Sequence, residues 1–160
     1  MTPRSLAPRV LLIDTNLLVL LLVGALAPDH VSRFRRTRTY TAEDFALLAR
    51  FVTGFGVLVT TPNVMTETSN LLGQLDDPLR RAAMARLGAF AAAAAEHYHA
   101  TASLAGLPPY LPFGLTDASI AQLAADSVTV LTDDLKLCNH LTSVGLDAVN
   151  FNHVRAGSWS

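Results

Sequence analysis

The most apolar stretch of the chain, VLLIDTNLLVLLLV over residues 10–23, is broken by an aspartate and an asparagine. Its first four residues, Val10 to Ile13, are apolar at every position and do not alternate. A strand with no polar face must be covered on both sides, which is the condition of a parallel strand in an α/β fold. A bare carboxylate in such surroundings is costly to desolvate. Asp14 therefore poses two questions, why it stands at that position and what keeps it charged.

A membrane segment is the first alternative, because Arg4 and Arg9 precede the apolar run as they would in a signal peptide or anchor. Asp14 and Asn16 interrupt it, and the clean remainder from Leu17 to Ala27 is too short to span a bilayer. A central aspartate also costs about 2.5–3.5 kcal/mol on insertion scales, and no convincing cleavage site closes the run. The expectation is a protein without a membrane segment. Cys138 is the single cysteine, so no internal disulfide can form and a reducing cytoplasm fits.

The same short apolar runs recur between helical patterns. Thr15 to Ala27 predicts a helix ended near Pro28, and residues 28–40 read as a polar connection. Thr41, with Asp44 three residues on, predicts a helix start followed by the stripe Phe45, Leu48, Ala49 and Val52. Gly54 and Gly56 close it, and Val57 to Val59 is a second buried strand. Thr61 and Pro62 supply a cap and a first-turn proline for a helix with the stripe Val64, Thr68, Leu71, Leu72 and Leu75. Asp77-Pro78 starts another, predicted to run through the alanine tract at 91–95 towards Ser103, since alanine is the best helix former. The proline-rich stretch 107–112 reads as a loop. Thr116 is expected to cap a helix through Asp126, Val128 to Leu131 is a third strand, 133–144 a helix and Asp147 to Asn150 a fourth strand, with a tail to Ser160. With 160 residues, 51% of them hydrophobic and 16% charged, the chain fits one globular domain over 1–160, its core roughly 9–150. The alternation predicts an α/β, three-layer α/β/α fold with a mainly parallel central sheet.

In that architecture ligands bind at the carboxyl ends of the strands, and acids gather there. Asp14 ends the first strand, Asp133 and Asp134 follow the third, and Glu67 and Asp117 lie in early turns of helices. Each has a plain structural explanation. Asp14 serves as a helix cap, Asp117 favours a helix N-terminus, a solvated face accounts for Glu67, and Asp133 and Asp134 suit a cap and first turn. Together they would repel one another and shift towards protonation unless a cation neutralises them. With oxygen donors and no matching His or Cys, that cation is Mg²⁺ or Mn²⁺.

The motifs LLIDTN, TPNVMTETSNLL, LTDASIAQLA and VLTDD occur in that order, and in this the chain resembles the PIN-domain nucleases, the group that includes the VapC toxins. The resemblance spans roughly residues 9 to 145. It implies that Asp14, Glu67 and Asp117 are the first three metal-binding acids. A Thr-x-Asp pattern makes Asp134 the fourth, with Thr132 as a supporting hydroxyl; Asp133 in the x position leaves the assignment between the two neighbours open. Asn16 fits the Asp-Thr-Asn opening as a residue orienting Asp14 or a metal water. The implied activity is metal-assisted hydrolysis of RNA phosphodiester bonds, with an antitoxin protein and a second copy of the chain as implied partners. The long arginine-bearing connection, the alanine-rich helix and the proline loop depart from the small toxin pattern.

Two other functions compete. A phosphatase with an aspartyl nucleophile would also place Asp after the first strand, but its usual Asp-x-Asp pair fails because Asn16 holds the second place. A catalytically silent PIN-like module binding RNA or a protein is expected to lose the acids, which are all present. The net charge of −1 argues against wholesale wrapping of nucleic acid while leaving a local basic patch open. Arg33, Arg35, Arg36 and Arg38 form that patch: they suit RNA phosphates, an acidic partner or a solvated loop. His97 and His99 are expected two apart on a helix, facing different sides. Neither Cys138 nor Trp159 carries a functional argument.

Overall fold

A computed structural model describes residues 7–157; Arg4 and Trp159 lie outside the described residues. The strands are β1 (Val10–Ile13), β2 (Val57–Thr60), β3 (Ala95–Glu96), β4 (Thr129–Thr132) and β5 (Ala148–Asn150). They form one all-parallel sheet in the order β3-β2-β1-β4-β5. The helices are α1 (Thr15–Leu26), α2 (Ala42–Val52), α3 (Pro62–Leu72), α4 (Leu79–Ala93), α5 (Thr101–Ala105), α6 (Tyr110–Phe113), α7 (Leu115–Ala124), α8 (Leu135–Ser143) and α9 (Phe151–Gly157).

From β1 the chain winds outward to β2 and β3, then returns across the sheet to β4 and β5. Right-handed crossovers in opposite directions put the connecting helices on opposite faces. One group is α1 with α2, α3 and α4 against it; the other contains α7, touching β4, α5 and α6, and α8, touching β4 and β5. The result is a three-layer α/β/α fold, as expected. Its winding direction reverses between β1 and β4. Leu11, Leu12, Val130 and Leu131 are fully buried there, as strands covered on both faces must be. Helix α1 lies in the middle of its layer, with Leu17, Leu18, Val19 and Leu20 at 0% exposure. Gly24 lets it approach α2, because a Cβ there would collide with the Phe45 ring. Among the described residues no helix is long and apolar enough to cross a membrane.

Several local expectations need correction. The alanine tract does not stay helical to Ser103: α4 ends at Ala93, and Ala95 and Glu96 pair with Val59 and Thr60 of β2. Edge pairing outweighs alanine's helix preference, which is only a weak prior. His97 and His99 are therefore not on a helix, and the His97 N–H donates to the Thr60 carbonyl. The proline-rich loop contains the single turn α6, with Pro112 inside a first turn that needs no N–H. Thr116 does not cap α7; Gly114 holds that position at φ 91°, where glycine is favoured. The connection 28–40 is polar only outwardly, since Val31, Phe34, Thr37 and Tyr40, spaced three apart, are buried. The expected tail is helix α9, anchored by the fully buried Phe151.

Candidate acidic site at the strand ends

Asp14 is the residue after β1 and the N-cap of α1, so strand end and helix start coincide on it. The residue is 8% exposed. Oδ1 accepts from the Thr15 N–H at 2.7 Å, and Oδ2 accepts from the Thr132 hydroxyl at 2.6 Å. The helix-cap expectation is thus met. Thr132, at the end of β4 and fully buried, also accepts from the Asp134 N–H at 3.0 Å. One hydroxyl consequently ties the two strand ends together across the reversal point.

Burial raises the Asp14 carboxyl from 3.8 to about 6, against the two hydrogen bonds and with help from the charges of Asp133 and Glu67. Asp117, in the first turn of α7 and half-buried, is raised from 3.8 to about 7. Burial is again the main cause, followed by Asp14, Asp134 and Glu67. Glu67 is exposed in the second turn of α3, where the Thr116 hydroxyl donates to it at 2.6 Å. The acids predicted from the sequence therefore do converge. Among the described residues no Lys, Arg or His lies within ion-pair distance of any of them.

The neighbours Asp133 and Asp134 play different parts. Asp133 is half-buried; its Oδ2 accepts from the Tyr40 hydroxyl at 2.6 Å, and its Oδ1 faces the Asn16 amide at 3.4 Å. Asn16 thus reaches towards Asp133, not Asp14. Asp134 caps α8, with Oδ1 accepting from the N–H groups of Lys136 and Leu137. Electrostatically, Asp133 bears on Asp14 and Asp134 on Asp117.

A supporting network was not foreseen. Burial and the Asp133 hydrogen bond push the Tyr40 hydroxyl far above its ordinary range, so it acts only as a donor. The Arg155 guanidinium stacks on the Tyr40 ring, 4.7 Å from its centroid. Arg155 also grips buried Asp44 through two bonds of 3.0 Å and donates to Asn152. Asn152 in turn donates to the Asp133 carbonyl at 3.2 Å. Helix α9 and the 28–40 connection thereby hold the turn that carries Asp133. The three-residue spacing of Val31, Phe34, Thr37 and Tyr40 was the legible signal; nothing in the sequence pointed to Arg155 or Asn152.

The basic segment sits apart from this network. Arg33, Arg35, Arg36 and Arg38 are all exposed, and Arg36 donates to Gln74 at 2.8 Å. Cys138 is buried, which raises its thiol and leaves it unreactive.

The donor set, all carboxylate oxygens, suits a hard divalent cation. Among the described residues, however, no three Asp, Glu, His or Cys side chains stand in a formed metal-ligand cluster. Tyr40 holds Asp133, and the α8 backbone holds Asp134. No family model and no curated protein matches the chain.

Proposed function

We propose that the chain is a Mg²⁺- or Mn²⁺-dependent ribonuclease that hydrolyses RNA phosphodiester bonds, with Asp14, Glu67, Asp117 and Asp134 as its acidic site and Asp133 beside them. The observation that carries this reading is the meeting of acids from separate elements at the β1–β4 reversal, two of them raised towards neutrality. Such crowding works against folding, and strongly shifted groups in a strand-end crevice mark functional sites.

Asp14 and Asp117, with Glu67 and Asp134, would hold the ion, which when bound supplies Lewis-acid stabilisation of charge developing at a phosphodiester. The chain's own part is positional. Thr15 and Thr132 fix both oxygens of Asp14, Thr116 fixes Glu67, the α8 backbone fixes one oxygen of Asp134, and Tyr40 restrains Asp133. The toxin of a toxin–antitoxin pair is one role for such an enzyme, and a housekeeping RNA-processing nuclease is another. A small DNA-binding antitoxin reading frame directly upstream favours the first. A cytoplasmic location belongs to the same proposal.

A silent RNA- or protein-binding module is the second reading. Cleavage of single-stranded or structured RNA by purified protein, with Mn²⁺ or with excess chelator, separates the two. The expected result is cleavage abolished by chelation and lowered by orders of magnitude in Asp14→Asn and Asp117→Asn. Full activity in chelator sinks the metal mechanism; no cleavage under any condition favours the silent module.

A further inference from the structure

Beside the acids lies a cleft of about 400 Å³ lined by Pro62, Asn63, Glu67, Asn70, Tyr98 and His99, among others. Its volume falls in the range of small-ligand sites. It shares Glu67 and Thr116 with the acidic site, the pair joined by the 2.6 Å hydrogen bond. Tyr98 lines it while leaving 77% of its surface in solvent, which makes it one of the chain's exposed large hydrophobic residues. The ring is placed by backbone, not by packing. It follows β3, and the His97 N–H bonded to the Thr60 carbonyl fixes the segment at the carboxyl end of the sheet. The acids occupy that same end. Asn63 and Asn70 bring amide groups that both donate and accept, and the His99 Nδ1 atom is buried without a hydrogen-bond partner.

A flat exposed ring and amides around a nucleotide-sized cleft match what an unstacked base requires. Bases stack on aromatic faces and are read along their edges by polar side chains. The cleft carries no arginine or lysine, so it is unsuited to phosphate and suited to the base. We infer that this cleft is a base-binding subsite for single-stranded RNA, with Tyr98 as the stacking platform. The inference rests on reading the protein as acting on RNA, and it adds where the nucleotide beside the cleaved bond is held.

The test is binding of a fluorescein-labelled, mixed-sequence 12-nucleotide RNA, measured by anisotropy in chelator at low salt. An Asp117→Asn background removes one repelling charge near the RNA. In that background Tyr98→Ala should weaken binding about tenfold, the loss of one stacked base, while Tyr98→Phe retains the affinity. Single abasic substitutions scanned along the RNA should reveal one position where the Tyr98→Ala effect disappears. Equal affinity of the Asp117→Asn protein with and without Tyr98→Ala overturns the subsite, as does an effect of equal size at every abasic position. Binding without any Tyr98 dependence leaves the nuclease reading standing. Absence of RNA binding overturns the subsite, and if Mn²⁺-dependent cleavage by the parent is also absent, the nuclease reading falls with it.

Discussion

Replacing Asp14 by asparagine should stabilise the metal-free protein at neutral pH and cost it about 1 kcal/mol at pH 4. Asp14 is raised from 3.8 to about 6 in the folded chain. A carboxyl with a raised folded pKa contributes its full stability below the unfolded value and loses it as the pH climbs through the folded one. Here the window runs from about pH 4 to above 6, and a rise of about 2 units corresponds to about 3 kcal/mol. Asparagine does not titrate, caps a helix as well as aspartate does, and keeps an oxygen for the Thr15 N–H. Its amide nitrogen, however, would face a Thr132 hydroxyl that now donates to Asp14, a mismatch worth about 1 kcal/mol. The net gain is about 2 kcal/mol at pH 7.5, or roughly 4–8 °C in melting temperature for a domain of this size. Thermal melts of both proteins in chelator from pH 4 to 8 measure it. A parent–mutant difference that stays constant across that range refutes the raised pKa. Melts repeated with Mn²⁺ address the site itself. The parent should gain about 2.7 kcal/mol at a hundredfold excess over Kd and the mutant clearly less, so an undiminished shift in the mutant removes Asp14 from the metal site.

Tyr40→Phe keeps the ring under Arg155 but removes the donor to Asp133, and urea unfolding should show a loss of about 1–2 kcal/mol; an unchanged midpoint would make that contact incidental. In RNA cleavage assays Asp134→Asn should lose more activity than Asp133→Asn, because both Asp133 oxygens are engaged, by Tyr40 and Asn16, whereas the α8 backbone takes only Oδ1 of Asp134, and the opposite order would reassign the fourth ligand. Replacing Arg33, Arg35, Arg36 and Arg38 together by alanine should weaken RNA binding and flatten its salt dependence; an unchanged slope returns the segment to a solvated loop. Sedimentation at micromolar concentration should show a homodimer, formed through the exposed side of α4 where Ala85, Ala89 and Ala92 face solvent, and a monomer alone would reject it.

Local chemistry made much of this protein legible from sequence. A four-residue apolar run closed by Asp14 is too short for a helix and reads as a strand covered on both faces, and β1 formed with those bounds. The Thr41–Asp44 capping box and the Thr61-Pro62 start both formed as read, because a cap is a contact between near neighbours. The acids were legible for a related reason: a strand's end determines where the next residue stands, and Asp14 and the 133–134 pair each follow one. The tertiary structure decided what local preference could not. Alanine's helix propensity favoured one long helix, yet an open edge on β2 drew residues 95–96 into the sheet. Thr116 looked like a cap and became the partner of Glu67, 49 positions away, once α3 and α7 met. The largest omission, the Tyr40–Asp133–Asn152–Arg155–Asp44 network, joins residues more than a hundred positions apart. Periodicity reports which face of an element is buried, whereas only the folded chain determines which buried faces touch.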